Sequence, residues 1–379
     1  MSAARVAVAA PPPVPTPGAG APSGRRREPP PPRAALRAAR VADAATIDAA
    51  ELVDASRSHA VTLVTLPDGR AFVVKRVSAE ARAAGRSLAA ELYAYRLASW
   101  RPALAAILPA PVLLDERRQV LALVAAPGDQ LLAAHCTQTG FPAAELAAAL
   151  GRALAALHAA TTGVSLPTVA GCGILAIPDT PEADRHLGGP SEAAEAVARE
   201  ITDDALLAAS LRRTQAAVRP SCLIHADVKW DNAVLDPGPP ARVLLFDLEL
   251  SGHGDPAWDV GSALADTASL AVRLHGLAAL ASDPARWLSP ALVALLCAYA
   301  SHPGAEPSPD FADRIAGCWT ARTVHLALEC AAAVDDHRHP VVRDLLAAAR
   351  RLADAGPAVT AAVHAALAAA RPRAPADTE

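Results

Sequence analysis

The sequence predicts an α+β protein of two lobes: a small lobe with an antiparallel sheet and one helix, and a larger, mostly helical lobe. Short β-branched segments separated by turn residues lie between residues 51 and 124. Alanine, the strongest helix former, dominates the apolar 52% of the chain, whereas aromatic residues contribute only 3%. A length of 379 residues is enough to bury a large core and favours two lobes over one.

Residues 1–42 are rich in Pro, Ala, Gly and Arg, with proline runs at 11–13 and 29–32. This composition buries too little apolar surface to offset the entropy lost on ordering, so we predict a disordered tail. A proline-rich segment that docks onto a partner is the alternative. The predicted lobes follow the tail: a small lobe over residues 43–126 and a large lobe over residues 127–379.

Turn residues divide the small lobe into its strands. Gly69 can take the positive φ of a tight turn, so the runs on either side of it form a hairpin that ends on Lys75. A helix-prone segment containing Glu91 then separates this hairpin from the last two strands. The predicted elements are a strand from residue 51, strands 60–66 and 71–75, a helix 79–98, and strands 112–114 and 120–124.

Helices dominate the rest of the chain. Leucines repeat at spacings of three or four over residues 142–160, which predicts a helix with one buried stripe. Residues 161–190 contain many Gly and Pro and predict a loop, and residues 191–218 again predict helix. From Pro256 onward, helix-forming segments are separated by Pro/Gly breaks.

Composition and charge exclude several classes of protein. The six cysteines form no C-x-x-C pair, which argues against zinc and against a disulfide framework and favours a reduced, cytoplasmic protein. A net charge of -4 without a basic stripe argues against nucleic-acid binding. The sequence contains no run of about twenty apolar residues, so we expect no contact with a membrane interior.

Two residue types are almost missing from the chain. It contains only two lysines, Lys75 and Lys229, and one asparagine, Asn232. A composition so rich in Ala, Arg, Pro and Gly disfavours both types. We therefore expect the lysines and the asparagine that are present to lie at positions where no other residue type can replace them. Lys229 and Asn232 both fall within residues 225–232, which marks that segment as the candidate site.

The residues of this segment match the needs of phosphoryl transfer. His225 and Asp227 place an imidazole two residues from a carboxylate, and Asp227 can accept a proton from an attacking hydroxyl. Asn232 and Asp247, which ends an apolar strand, offer the hard oxygen ligands that suit Mg²⁺. Lys229 adds the positive charge that steadies a phosphoryl group in transfer.

Three segments carry a family resemblance. Residues 225–232 resemble the catalytic loop of protein-kinase-like folds, with the same spacing of five between Asp and Asn. Residues 246–249 resemble the metal-binding strand end of the aminoglycoside phosphotransferase and choline kinase branch, and residues 254–259 are similar to its G-D-P-x-x-D signature. The resemblance spans roughly residues 50–330 and implies a bilobal protein-kinase-like fold that uses ATP and Mg²⁺.

In the small lobe, the resemblance implies a nucleotide site. Lys75 would hold the α- and β-phosphates, and Glu91 would pair with it. The backbone over Val124 to Ala126 would bind the adenine at the hinge. The turn that covers the nucleotide has no glycines, so Ser56 and Ser58 with the backbone amides would hold the phosphates there.

In the large lobe, the resemblance implies the roles of base and metal ligands. Asp227 would be the catalytic base and Lys229 would act on the phosphoryl group. Asn232 and Asp247 would bind Mg²⁺, with Glu249 assisting. Asp259 follows Asp247 so closely that a long phosphorylated activation loop has no room, and it would brace the catalytic loop.

The acceptor stays open at the level of sequence. Most of the family features resemble kinases of small molecules such as aminoglycosides or amino alcohols. Lys229 and Trp230 instead resemble the kinase subunits that phosphorylate Ser/Thr of precursor peptides in lanthipeptide biosynthesis, which would imply a partner lyase. A nucleotide-binding pseudokinase scaffold is the third alternative. Candidate acceptor contacts, for which a helix-stripe or surface role is an equal alternative, are Asp266, Trp319, Arg322 and Glu329.

Overall fold

The small lobe is built on a five-stranded antiparallel sheet with the strand order β1-β2-β3-β5-β4. The computed structural model describes residues 29–56, 59–78, 81–82, 87–126, 144–164, 173–180, 191–236, 242–305 and 308–370. The strands, which confirm the predicted segments, are β1 Glu51–Asp54, β2 Ala60–Thr65, β3 Ala71–Arg76, β4 Pro111–Asp115 and β5 Val120–Val124.

Four helices are described in the small lobe. They are α1 Pro32–Ala38, α2 Ala44–Asp48, α3 Ala89–Ala98 and α4 Pro102–Ala105. The predicted disorder of residues 1–42 is wrong over α1, and residues 1–28 lie outside the described residues. Pro32 occupies the first turn of α1, where a missing backbone N–H breaks no helical hydrogen bond. The apolar residues that follow it pack against another surface of the small lobe.

That surface is the outer face of the sheet. Leu36 of α1 and Ile47 of α2 pack with Val64, Phe72 and Val74 in one hydrophobic cluster of the small lobe. Phe72 and Val74 lie on this face of β3. Because successive residues of a strand point to opposite faces, the side chain of Lys75 lies on the other face. Part of the segment predicted as a tail thus completes the hydrophobic core of the small lobe.

Leu36→Ala should destabilise the protein by about 2–5 kcal/mol, since the fully buried leucine leaves a cavity between α1 and the sheet. Chemical denaturation measures the change. The neighbouring Arg37 is half-exposed and pairs with Asp48, so Arg37→Ala is the matched control and should change stability by less than about 1 kcal/mol. Equal effects of the two variants would mean that α1 does not pack on the sheet.

The large lobe is mostly helical, as predicted. Its helices are α5 Ala144–Thr161, α6 Glu192–Asp203, α7 Ala205–Ala217, α8 Pro256–His275, α9 Pro290–Ala300, α10 Phe311–Val334, α11 Pro340–Asp354 and α12 Gly356–Ala368. Residues 191–218 form two helices because Asp204 caps α7, accepting hydrogen bonds from the N–H groups of Leu206 and Leu207. None of the helices in the described residues is long and apolar enough to cross a membrane.

Two short strand pairs frame the candidate site. β6 Cys222–Ile224 pairs with β9 Gly252–Gly254, and β7 Ala233–Asp236 pairs with β8 Arg242–Leu245. Residues 225–232 connect β6 to β7, so both ends of this loop are tied to strands. Beneath it α8 and α10 cross closely at Gly261, where a Cβ atom would lie 2.8 Å from the backbone nitrogen of Trp319.

Candidate active site

Asp227 lies at the centre of the loop between β6 and β7. Its Oδ2 accepts hydrogen bonds from Lys229 Nζ at 2.7 Å and from Asn232 Nδ2 at 3.1 Å. Its Oδ1 accepts a hydrogen bond from Arg322 of α10 at 3.1 Å. The structure therefore brings together the predicted base, the predicted phosphoryl-binding lysine and a predicted metal ligand, and adds a buried arginine.

The neighbouring cations control the charge of Asp227, the predicted base. Burial raises the pKa of Asp227, but the Arg322 guanidinium and the Lys229 ammonium outweigh it and hold the pKa below its usual range. Asp227 is therefore ionised at neutral pH and can accept a hydrogen bond from a hydroxyl. Its weak basicity suits a reaction in which the hydroxyl proton leaves late, as in a loose phosphoryl-transfer transition state.

A buried network braces the loop from behind. Asp259 accepts hydrogen bonds from the backbone N–H groups of His225 at 2.7 Å and Ala226 at 2.9 Å. Its Oδ2 also lies 3.0 Å from His158 Nε2, and His158 Nδ1 lies 2.9 Å from the hydroxyl of Tyr299. This geometry confirms the bracing role predicted for Asp259. No pattern in the sequence indicates that His158 shares this role, since a lone histidine in a helix can have many roles.

Two contacts fix the second half of the loop. Asp266 of α8 accepts a hydrogen bond from the backbone N–H of Trp230 at 2.9 Å, and Thr267 accepts one from the Trp230 indole at 3.0 Å. Asp266 is almost fully buried. The carboxylate therefore supports the loop, and its contact with an acceptor stays a prediction.

Ala226 takes a left-handed backbone conformation with φ 68°. Such a conformation strains any residue with a Cβ atom and strains a β-branched one most. Ala226→Gly should therefore keep transfer activity, whereas Ala226→Val should destabilise the loop by about 1–3 kcal/mol and lower activity with it. Thermal unfolding and transfer rates measured on the same samples test this pair, and a fully active, equally stable Val variant would contradict the strain.

Across the cleft, Lys75 contacts two carboxylates. Its Nζ donates to both oxygens of Glu91 at 3.0 Å and to Asp247 Oδ1 at 2.5 Å. This confirms the predicted pairing of Lys75 with Glu91. Burial lowers the pKa of Lys75, but the two carboxylates more than offset it and raise the pKa, so the lysine stays charged.

The donor set fits a magnesium ion. Asn232 and Asp247 are neighbours because the N–H of Phe246 donates to the Asn232 carbonyl at 3.1 Å. Since Asn232 Nδ2 is used on Asp227, its amide oxygen is the ligand atom that remains. Among the described residues, no group of three His, Cys, Asp or Glu side chains forms a metal site. Magnesium commonly takes one or two protein oxygens and completes its shell with phosphate and water.

The third predicted metal ligand has another contact. Glu249 Oε2 lies 2.7 Å from His59 Nδ1, which links the segment after Asp247 to the turn between β1 and β2. That turn is where the sequence predicts the cover of the nucleotide. The assistance of Glu249 to a metal stays a prediction.

The residues predicted to contact the phosphates and the adenine are Ser56, Ser58 and the backbone from Val124 to Ala126, and the structure describes only some of them. Ser56 closes its own turn: its hydroxyl lies against Asp54 and accepts a hydrogen bond from Val61 N–H at 3.0 Å. Ser58 lies outside the described residues. The N–H groups of Val124 and Ala125 donate to the carbonyls of Ala110 and Ala71, so an adenine contact at the hinge would fall to the peptide of Ala126 and to carbonyl groups.

The other three candidate acceptor contacts, Trp319, Arg322 and Glu329, lie in different surroundings. Trp319 is fully buried and packs edge-on against Trp287, so its predicted contact with the acceptor is wrong. Glu329, with a side chain 40% exposed, lies at the solvent side of Arg322 and binds its guanidinium at 3.0 Å. Arg322 and Glu329 therefore lie beside Asp227, the predicted base, and their contact with an acceptor stays a prediction.

The two lobes, with the carboxylate of Asp227 on a braced loop of one and a lysine between two carboxylates on the other, define a kinase-like phosphotransferase. The model of the phosphotransferase enzyme family matches residues 49–288, which is more than half of the chain. The chain belongs to that family. No curated protein matches its sequence.

Solved structures share the fold at low sequence identity. A choline/ethanolamine kinase family protein from Mesorhizobium loti is 18% identical, with a TM-score of 0.53, and the match covers 88% of this chain and 98% of that one. Choline kinase LicA from Streptococcus pneumoniae is 14% identical, with a TM-score of 0.51 and coverages of 78% and 89%. An aminoglycoside phosphotransferase from Alicyclobacillus acidocaldarius is 16% identical, with a TM-score of 0.50 and coverages of 87% and 97%.

Proposed function

We propose that this protein transfers the γ-phosphate of ATP to a hydroxyl group, with Asp227 as the base. One observation carries the proposal. Asp227 is held by Lys229, Asn232 and Arg322 on the large lobe, and Lys75 is held by Glu91 and Asp247 across the cleft. A base, a phosphate-binding cation and oxygen ligands are the parts that positioning and charge neutralisation require in phosphoryl transfer.

Each side chain has a step in this proposal. Lys75 leaves Asp247 for the α- and β-phosphates and keeps Glu91 as its partner. The acceptor hydroxyl donates its hydrogen bond to Asp227, which orients the attacking oxygen and takes the proton. Lys229 turns from the base to the phosphoryl group as negative charge moves onto its oxygens.

Asn232 and Asp247 would hold the magnesium ion, which, when bound, neutralises charge on the phosphates. Lys75 now lies on Asp247, so nucleotide binding would replace this ion pair by contacts with phosphate and metal. A pseudokinase scaffold would need neither the base nor this complete set of cations and ligands. The presence of all of them supports turnover.

The acceptor side carries balanced charge. Three carboxylates near Asp227 or at it have cationic partners: Asp227 and Glu329 bind Arg322, and Asp266 lies 3.7 Å from Arg273. A polycationic aminoglycoside is better matched by carboxylates that have no such partners. The names of the similar structures support a small alcohol as acceptor, and Lys229 beside the base supports a Ser/Thr hydroxyl of a peptide.

A transfer screen tests the proposal. The protein is incubated with radiolabelled γ-phosphate ATP, Mg²⁺ and separate pools of amino alcohols, aminoglycosides and Ser/Thr peptides, beside an Asp227→Asn control. We expect label in one pool with the wild-type chain and not with the variant. Bound ATP without label in any pool would support the scaffold, and label only in the peptide pool would favour a peptide kinase with its own partner enzymes.

A further inference from the structure

Arg322 lies in the middle of α10 with only 1% of its surface exposed. Its Nη2 donates to Asp227 Oδ1 at 3.1 Å, and its Nη1 donates to Glu329 Oε1 at 3.0 Å. The same Nη1 lies 2.6 Å from Nδ1 of His325, one turn further along the helix. A buried cation is costly unless carboxylates compensate it, so Asp227 on one side and Glu329 on the other account for the charge.

The two oxygens of Asp227 have different surroundings. Oδ1 is bound by Arg322 from the helical lobe, whereas Oδ2 is bound by Lys229 and Asn232 from the loop itself. The planar guanidinium is fixed by its other contacts, so the carboxylate cannot rotate without breaking the bond at Oδ1. Oδ2 is thereby kept on the side of Lys229 and Asn232, where the phosphoryl group is expected.

We propose that Arg322 is a positioning residue for phosphoryl transfer: it holds Asp227 in one orientation, so that Oδ2 meets the acceptor hydroxyl. Glu329 keeps the guanidinium in place from the solvent side. Arg322 touches neither nucleotide nor acceptor in this role and acts only through the base. The inference rests on the proposed function, since that function makes Asp227 the base.

Arg322→Gln should lower kcat for ATP turnover, measured with water as acceptor, by roughly 10–100-fold, because displacing a reacting group by about 1 Å has effects of that size. KM for ATP should change by less than about threefold, since the nucleotide contacts lie elsewhere. Arg322→Lys keeps the charge but loses the planar fork, so it should recover part of the rate.

Arg314 supplies the matched control. It is a second buried arginine of α10, bound to Asp255 at 2.8 Å and to Asp310 at 2.7 Å, away from the loop. Arg314→Gln should lower the melting temperature while turnover per folded molecule stays within about twofold of wild type. Equal turnover losses in Arg314→Gln and Arg322→Gln, or an Arg322→Gln variant of wild-type turnover, would overturn the proposal.

A double-mutant cycle separates this inference from the proposed function. Unfolding equilibria of Arg322→Gln, Asp227→Asn and the double variant need no turnover, and we expect a non-additive effect of roughly fivefold or more in the equilibrium constant. Additive effects would overturn the positioning role even if the wild-type chain transfers phosphate. If Arg322→Gln does not fold, the same turnover and unfolding measurements are made on Arg322→Lys and Glu329→Gln.

Discussion

Replacing Asp227 by asparagine should lower the rate of phosphoryl transfer by roughly 10²–10⁴-fold, the usual contribution of a positioned base. The asparagine amide has nearly the same shape but cannot take the hydroxyl proton. ATP affinity should be nearly unchanged, since in the proposed arrangement Lys75, Asn232 and Asp247 hold the nucleotide and its metal ion. A rapid-quench experiment with one turnover of bound ATP measures the chemical step apart from binding.

A neighbouring carboxylate controls for charge in this loop. Asp231 is exposed and lies within the turn between Trp230 and Asn232, so Asp231→Asn removes the same charge without touching the base. We expect its transfer rate to stay within about twofold of wild type. An Asp227→Asn variant as fast as Asp231→Asn would remove Asp227 as base.

Lys75→Met should have the second large effect, and it should act on both stability and catalysis. Glu91 is fully buried and both of its oxygens bind Lys75, so removing the lysine leaves a buried carboxylate uncompensated. Breaking a pair of this kind costs about 3–5 kcal/mol. Loss of one cation from the phosphate site should also lower kcat by roughly 10²–10³-fold.

The double variant Lys75→Met/Glu91→Gln separates these two effects. It removes the uncompensated charge and should regain most of the lost free energy of unfolding, measured by chemical denaturation. Transfer should not recover, because the phosphate-binding cation is still missing. A double variant as unstable as Lys75→Met would show that the ion pair is not what holds Glu91 in the core.

The elements that the sequence predicts best are those with a local signal. The hairpin around Gly69 has turn chemistry and β-branched strands, and the leucine stripe of α5 has a helical period. The helix α1 was missed because Pro and Ala carry no period of their own. Its stability comes from Leu36 and the sheet beneath it, a contact between segments that local composition does not record.

The residues of the candidate site also differ in whether a local sequence pattern could predict them. Asp227, Lys229 and Asn232 could be predicted because they lie within one short loop whose residue types and spacing match a known chemistry. Arg322 was predicted as an acceptor contact, but its hydrogen bond to Asp227 was not, and the role of His158 was missed. Both reach the loop from helices distant in sequence, so no local pattern records these contacts. Trp319 shows the converse error: an aromatic residue near the right helix face turned out to fill the core.

The residues around Asp227 and Lys75 are proposed to form a working phosphotransferase site. Phosphorus NMR of MgATP with stoichiometric protein and a pooled set of hydroxyl acceptors tests this proposal. With the wild-type chain, the γ-phosphate signal should disappear and a phosphate monoester signal should replace it, whereas the spectrum should not change with Asp227→Asn. An unchanged γ-phosphate signal, with MgATP shown by titration to be bound, would contradict it.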